Sequence, residues 1–342
     1  MLHLYDNDIM KLESNKVLKD VSSTGKERPW VDKKLNSIDL ADSYKRLSNY
    51  HEYLINKYYR VKYCGSYLEF KRFIDDSLKL NRANFCKVRL CPMCGWRRSL
   101  KIYGQVSRVM DCIDSNNYRF IFLTLTCRNV PGGDLSKAID KLFYSFNKFT
   151  KRKKFKQSIK GFFRALEVTH NLDKSSLFYD TYHPHIHMVL VVQKSYFKKP
   201  ELYFTHDDWV NIWKSCLKVD YRPIVHVKRF IDVNGKGVSK GIAEIAKYTV
   251  KDTDYIVKDD GRNIDEEMTD STVLILDEAL ANRRLISFGG MLYDIHQKLN
   301  LDDAEDGDLI HTDNDDDIRD DLKYVIEQYS WNVGYKQYYK VN

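Results

Sequence analysis

Three histidines in five residues, His183-Pro184-His185-Ile186-His187, run directly into the apolar segment Met188–Val192. Alternate side chains of a β-strand share a face. His185 and His187 therefore project the same way about 6.5–7 Å apart, the disposition of two imidazoles converging on one metal ion. Glu167, in the earlier segment FFRALEVTH, can join them if the two segments pair as strands. Two histidines and one carboxylate then leave coordination positions open for a substrate oxygen. A half-buried histidine strand that binds nothing has the same spacing, but three histidines beside an apolar run weigh toward a metal.

A second constellation is Glu244-Ile-Ala-Lys247-Tyr248-Thr-Val-Lys251. On a helix, Glu244, Tyr248 and Lys251 fall at i, i+4 and i+7 with Lys247 beside them, while Ile242, Ile245, Ala246 and Thr249 form the packing side. A phenol of pKa about 10 is a poor nucleophile at neutral pH unless a cation or base assists it, and a metal-bound phosphate is the matching electrophile. An ordinary polar helix face shows the same spacing, which alone does not decide between the two.

The third is Cys86-x4-Cys91-x2-Cys94, with Cys64 upstream. The Cys91-Pro-Met-Cys94 knuckle brings two thiolates onto one zinc, and two more would close a tetrahedral structural site, unligated buried cysteines being the alternative. Lys87, Arg89, Arg97, Arg98 and Lys101 would stand around that zinc-stapled segment as a platform for phosphates. Cys112, Cys127 and Cys216 fall outside the pattern and are expected in the core. Seven cysteines, an odd number, suit metal binding in a reducing compartment better than a disulfide framework.

These residues need elements to position them. Residues 1–60 read as a basic arm passing into helix, and residues 61–112 as the cysteine segment followed by a basic amphipathic helix with Leu100, Tyr103, Val106 and Met110 at helical spacing. Residues 113–260 would carry the catalytic domain. It holds a strand at 119–126 (RFIFLTLT), a breaker at Asn129–Gly133, a helix over 134–156 with the basic end Lys151-Arg152-Lys153-Lys154, and strands Gly161–Thr169 and His185–Gln193 paired antiparallel. A helix at 206–219, a strand Ile224–Phe230, a turn at Asn234-Gly235 and a helix over 239–252 follow. Residues 261–342 are expected as a helical C-terminal region with an acidic tail. The order β-α-β-β-α-β-α implies an α+β fold with a mainly antiparallel sheet.

Charge and hydropathy narrow the function classes. The 342 residues carry 56 Lys and Arg against 48 Asp and Glu, and 24 tyrosines. Residues 301–321 concentrate 11 acidic side chains against one Arg, so the rest of the chain, with 55 basic and 37 acidic side chains, stands at +18. That is an electrostatic footprint for a polyanion such as nucleic acid. The acidic segment reads first as a solvated tail, with a DNA mimic or partner site as alternatives. No apolar run approaches the roughly 20 residues of a membrane span, and the N-terminal residues show no secretory pattern, so a cytoplasmic protein is expected. A GxxxxGK[ST] loop is absent, which disfavours an intrinsic ATP-driven motor.

Taken together and in order, CKVRLCPMCGWRRS, FLTLT at 122–126, the HxH strand, AEIAKYTVK and LDDAEDGDLIHTDNDD closely resemble the replication initiator proteins of small rolling-circle plasmids from Gram-positive bacteria, members of the HUH endonuclease superfamily. The resemblance spans the chain from Arg28-Pro29-Trp30 to the acidic segment. It implies a five-stranded antiparallel catalytic sheet flanked by helices, and nicking and joining of single-stranded origin DNA in a bacterial cytoplasm. His185 and His187 match the metal-binding pair, with Glu167 the third ligand by position and Mg2+ or Mn2+ the ion. His183 lies outside the pair. Tyr248 matches the tyrosine that becomes linked to a 5′ phosphate, Lys251 the lysine of its YxxK element, and Glu244 a glutamate that activates water at termination. Tyr255, one further helical spacing along, is a second tyrosine to consider.

The resemblance further implies a host helicase and DNA polymerase as partners, while the helical C-terminal region offers an interface for a homodimer. Lys87, Arg89, Arg97, Arg98, Lys151, Arg152, Lys153, Lys154 and Lys247 are the expected DNA contacts. Related readings are a conjugative relaxase or transposase, and, in a different class, a zinc-containing DNA-binding regulator without catalysis.

Overall fold

The computed structural model describes residues 16–22, 25–230, 250–259, 263–312 and 323–341. Two compact units emerge, one of residues 1–97 with 308–342 and one of residues 98–307. The expected segments at 1–60, 61–112, 113–260 and 261–342 do not coincide with these units, because the final strands return to pair with an early one.

In the first unit, α1 (Trp30–Leu47) and α2 (Leu54–Lys62) pack together and lead to strands β1 (Tyr67–Phe73) and β2 (Leu78–Ala83). The last strands, β10 (Tyr324–Asn332) and β11 (Gln337–Lys340), complete an antiparallel sheet ordered β11-β10-β1-β2. Residues 16–18 extend its edge, where Leu18 donates its backbone N–H to Tyr338 and Lys340 donates to Lys16. Glu327 is buried here and receives Arg72 at 2.8 Å, Lys340 at 2.7 Å and the Tyr329 hydroxyl at 2.8 Å, tying β1, β10 and β11 together.

Helix α3 (Pro92–Asp111) crosses the boundary between the units after Arg97. It opens on proline, whose missing N–H costs nothing in a first turn. Its later turns carry Ile102, Val106, Val109 and Met110, which pack with Phe163, Val189 and Val191 of the second unit's sheet. That sheet is antiparallel and five-stranded, ordered β6-β3-β5-β4-β9, with β3 at Tyr118–Thr126, β4 at Ile159–Asn171, β5 at Thr181–Gln193, β6 at Val225–Arg229 and β9 at Ile286–Gly290. The α+β class with an antiparallel sheet flanked by helices agrees with the sequence reading. Strand β5 lies at the centre, and its run from Met188 to Val192 is fully buried because both faces are covered.

Helices α4 (Leu135–Thr150), α5 (Lys153–Ser158), α6 (His206–Leu217) and α7 (Glu266–Leu280) accompany this sheet, with α4 packed on α6, α7 and β5. Phe146 of α4 meets Phe162 of β4 edge-on, and Phe149 packs against Trp209 and Trp213 of α6. Helix α6 is set by a capping box: the Thr205 hydroxyl accepts the Asp208 N–H and the Asp208 carboxylate accepts the Thr205 N–H. Strands β7 (Lys258–Asp259) and β8 (Asn263–Ile264) form a small separate ribbon, and α8 (Met291–Lys298) follows β9.

Four expectations need correction. The helical region expected over 261–342 is interrupted by β9, an edge strand on β4. Gly290 of β9 has φ +57°, and a Cβ there would fall 2.5 Å from the Lys160 carbonyl oxygen. The glycines that look like helix breakers are therefore what lets β9 approach β4. The helix expected over 239–252 is not helical at Val250 and Lys251, which lead into one 3-10 turn at Asp252–Asp254, and its earlier part lies outside the described residues. Cys112 is exposed rather than in the core.

Residues 301–310, finally, are not a solvated tail. Asp302 accepts Lys101 at 2.5 Å, the Glu305 carboxylate accepts the Leu285 backbone N–H, and the carbonyls of Leu309 and Ile310 accept Arg97 at 2.9 and 2.6 Å. Residues 313–321 of that acidic segment lie outside the described residues.

Candidate metal centre and cysteine site

The register of β4, β5 and β3 builds the centre. Glu167 stands opposite His185, and His185 and His187 stand opposite Thr126 and Thr124 of β3. Period-two alternation puts all five side chains on one face of the sheet. The Glu167 Oε2 lies 2.7 Å from His187 Nε2 and 3.3 Å from His185 Nε2. Ligand atoms of all three lie within 4.8 Å of one another, a set that can hold a metal ion.

The remaining ring nitrogens are occupied. His185 Nδ1 lies 3.0 Å from the His183 carbonyl oxygen, and His187 Nδ1 lies 3.0 Å from the Thr124 hydroxyl. Partners on Nδ1 fix each ring and turn Nε2 toward the shared point, as outer partners do around metal-ligating histidines. The Phe122 ring lies 5.5 Å from the His187 ring. Burial alone would push the Glu167 carboxyl up. Its hydrogen bonds to His185 and His187 outweigh that and hold it well below the usual carboxylate range. Glu167 is therefore an anion in a buried site, the state a hard divalent cation requires.

Lys251 places its Nζ 3.7 Å from Glu167 Oε1, with half of its side chain exposed. A cation thus reaches the edge of the same centre from a different segment. Asp254 nearby is a half-buried acid whose pKa is raised by desolvation. His183 stacks its ring on that of His185 at 5.1 Å but spends its Nε2 elsewhere, 3.0 Å from the Cys127 carbonyl oxygen, and burial lowers its pKa. Tyr255 is 2% exposed, which removes it from the candidates for a second nucleophile. Glu244, Lys247 and Tyr248 lie outside the described residues. The sequence reading did not assign Thr124 a role. Its signal was the threonine alternation in Phe122-Leu-Thr-Leu-Thr126, interpretable only once β3 is registered against β5.

The four cysteines Cys64, Cys86, Cys91 and Cys94 converge in the first unit, each Sγ within 4.8 Å of the others. Cys64 and Cys94 are 3.5 Å apart and Cys86 and Cys94 3.7 Å. Backbone N–H groups of Cys86, Lys87 and Val88 point at the Sγ atoms of Cys64, Cys94 and Cys86 at 3.3, 3.2 and 3.4 Å, as thiolate acceptors would draw them. Lys34, 1% exposed, caps the site by donating to the carbonyls of Lys62 and Cys64 at 2.7 and 2.8 Å. Four sulfurs at these separations fit one tetrahedral ion, and a buried ammonium beside them offsets part of the negative charge that four thiolates would leave around it.

The surrounding cations divide. Lys87 is exposed and Arg89 half-buried. Arg97, Arg98 and Lys101 are at most 2% exposed, with Arg98 donating to the Glu305 carbonyl at 2.9 Å. Their donors are committed to residues 302–310, so these three are structural cations and not a phosphate platform. At the other expected DNA contacts, Lys151, Arg152 and Lys153 are exposed, while Lys154 pairs with Asp208 at 3.0 Å.

The chain matches the model of a family described as Replication protein (Rep_1) over residues 77–339. It belongs to this replication-protein family. A "Protein rep" of Bacillus amyloliquefaciens is 40% identical over 343 residues, covering 94% of this chain and 96% of that protein. One from Streptococcus pneumoniae is 38% identical, covering 96% and 97%, and one from a Bacillus species 44% identical, covering 75% and 85%. No solved structure matches. With relatives of this name along nearly its whole length, the replication protein is a plasmid replication initiator, as the motif resemblance implied. Among the described residues, no helix is long and apolar enough to cross a membrane.

Proposed function

We propose that this replication protein nicks one strand of a plasmid origin by HUH-type chemistry, becomes joined to the 5′ end, and ends the round by cleavage and rejoining in the bacterial cytoplasm. The observation that carries the reading is the convergence of Glu167, His185 and His187 on one point with Lys251 at its edge. Mg2+ or Mn2+ held there would supply a Lewis acid for a phosphate oxygen. Glu167, His185 and His187 would hold the ion, with Thr124 and the His183 carbonyl keeping both rings oriented. The Lys251 ammonium offsets phosphate charge.

The Tyr248 phenol oxygen attacks phosphorus as it gives up its proton. The bond from phosphorus to the 3′ oxygen breaks, and that oxygen takes a proton to become the 3′ hydroxyl that primes host polymerase. At termination Glu244 accepts a proton from water, whose oxygen attacks phosphorus at the re-formed nick site in place of a second tyrosine; the bond to the 3′ oxygen breaks, and that 3′ hydroxyl attacks the phosphotyrosine, releasing the Tyr248 phenol and closing the strand. A host helicase opens the duplex, and two copies of the protein associate on the origin. Cys64, Cys86, Cys91 and Cys94 would hold a zinc ion that fixes the segment carrying Lys87 and Arg89. With Lys151, Arg152, Lys153, Lys154 and Lys247 these residues contact DNA backbone, and Arg97 and Arg98 do not.

The test is incubation with supercoiled origin-bearing plasmid and Mn2+ or Mg2+. Open circles carrying protein on the 5′ end are expected from the native chain and none from Tyr248→Phe. Cutting at the same position by Tyr248→Phe would remove Tyr248 as the nucleophile.

A further inference from the structure

Beyond Glu167, strand β4 carries a buried histidine, His170, that the metal centre does not use. Period-two alternation puts it on the face opposite Glu167. Its ring stacks on that of Tyr182, its register partner on β5, with centres 4.3 Å apart and planes 7° from parallel. His170 Nε2 lies 2.9 Å from the Asp180 carboxylate, and Nδ1 lies 3.3 Å from the Asp254 carbonyl oxygen and 3.4 Å from the Thr272 hydroxyl. With a proton on each nitrogen the ring donates to both the carboxylate and the carbonyl. It thereby ties the residue just before β5 to the 3-10 turn Asp252–Asp254, which packs on β4.

That turn supports Lys251. The Asp254 N–H donates to the Lys251 carbonyl at 2.9 Å, closing the turn back onto the lysine. Farther along, Tyr255 and Ile256 are buried, the Val257 N–H donates to the Thr269 hydroxyl of α7 at 3.1 Å, and the Val257 carbonyl accepts the Asp265 N–H at 2.9 Å. Residues at the start of α7 therefore anchor the far end of the segment, and His170 anchors the end next to Lys251. A half-exposed lysine has many rotamers, so its ammonium stays 3.7 Å from Glu167 Oε1 only if its backbone is fixed. One strand supplies both the carboxylate that the ammonium approaches and the imidazole that holds the ammonium's backbone.

We propose that His170 is a positioning residue for Lys251: by bridging Asp180 to the Asp254 carbonyl it holds the lysine's turn so that the ammonium stands at the edge of the metal centre. The proposal rests on the reading of Glu167, His185 and His187 as a metal centre and not on the nicking reaction. The experiment is Mn2+ titration by calorimetry in the absence of DNA.

An ammonium beside a divalent ion opposes its binding, so Lys251→Gln should bind Mn2+ about three- to tenfold more tightly, the range for one screened charge at this distance. His170→Phe keeps a ring to stack on Tyr182 and deletes both hydrogen bonds. It should tighten Mn2+ in the same direction and change nothing further in the Lys251→Gln background, whereas mere loosening of the fold would weaken the metal. Asp180→Gly, at an exposed position whose φ of +53° glycine adopts freely, removes the partner that orients the ring without entering the core, and should also tighten Mn2+. Weaker Mn2+ binding in His170→Phe, an equal shift in both backgrounds, or native affinity in both His170→Phe and Asp180→Gly overturns the proposal. A native chain that binds no Mn2+ removes the metal centre and the proposal with it. One that shows the expected Mn2+ pattern yet cuts no origin DNA overturns the nicking reading and leaves the positioning role standing.

Discussion

Replacing Thr124 by valine tests the metal centre without touching a ligand. The Thr124 hydroxyl lies 3.0 Å from His187 Nδ1, while His187 Nε2 faces Glu167. With Nε2 turned to the ion, the ring proton sits on Nδ1 and the threonine oxygen accepts it. Valine keeps the shape of a side chain only 5% exposed and deletes that acceptor. An orphaned buried donor costs about 1–3 kcal/mol, and tenfold in affinity corresponds to about 1.4 kcal/mol. Mn2+ should therefore bind about 10–100-fold more weakly, the range found when outer partners of metal-ligating histidines are removed.

Thr126 supplies the control. It lies on the same face and is equally buried, but its hydroxyl donates to the Ile224 carbonyl at 2.8 Å and to neither histidine. Mn2+ titration by calorimetry on Thr124→Val, Thr126→Val and the native chain reads the difference directly. Native affinity in Thr124→Val, or an equal loss in both variants, would refute the claim that Thr124 orients a metal ligand.

Four further outcomes are expected. Glu244→Ala should leave the first nick at its native rate and prevent release of the protein at termination, seen as accumulating covalent complex; equal loss of the first nick would make Glu244 a general activator. Cys91→Ser should lower bound zinc, measured by metal analysis after dialysis, from about one ion per chain toward none, with loss of the first unit's cooperative unfolding. Glu327 has its carboxyl held below the usual range: burial opposes this, but Lys340, Tyr329 and Arg72 outweigh it. The stability this contributes is present above the unfolded carboxylate pKa and is lost as pH falls through the folded value, so Glu327→Gln should flatten the acid limb of a stability–pH curve and lower the plateau at neutral pH. Gly290→Ala, meeting the Lys160 carbonyl at 2.5 Å with φ +57°, should lower the thermal midpoint of the native fold, read by calorimetry.

The strands that carry the metal centre were legible because their residues obey a period of two where one face must differ from the other. His185 and His187 alternate with apolar residues, and Glu167 falls into register with them once the intervening loop is read as a hairpin. Strands β1 and β10 escaped because burial there does not follow hydrophobicity. Glu69 and Glu327 are both only 6% exposed, and each is satisfied by partners distant in sequence: Glu69 by Asn81 and Gln328, Glu327 by Arg72 and Lys340. A buried carboxylate looks like a surface residue until its cations and amides are placed. Strand β9 escaped for a different reason. Its two glycines signal a break by themselves, and only the backbone of residues 160–161 across the sheet reveals that they serve close approach. The clustering of Cys64 with Cys86, Cys91 and Cys94 rests on the same kind of long-range closure, but there the chemistry of the side chains already named what would bring them together.

The charge split in the sequence takes on a different meaning once residues 301–310 are placed. A cationic body and an acidic tail suggested two opposed surfaces, one for DNA and one for solvent. Instead, Arg97, Arg98 and Lys101 direct their donors to the carbonyls of Leu309, Ile310 and Glu305 and to the Asp302 carboxylate. Part of the positive excess is thus internal and unavailable to phosphate, so net charge overstates the DNA-binding surface. What remains available to phosphate, among the described residues, are exposed cations such as Lys151, Arg152 and Lys153. Charge counts recognised a polyanion-binding protein; which cations are free to bind was decided by burial and pairing, neither of which composition encodes.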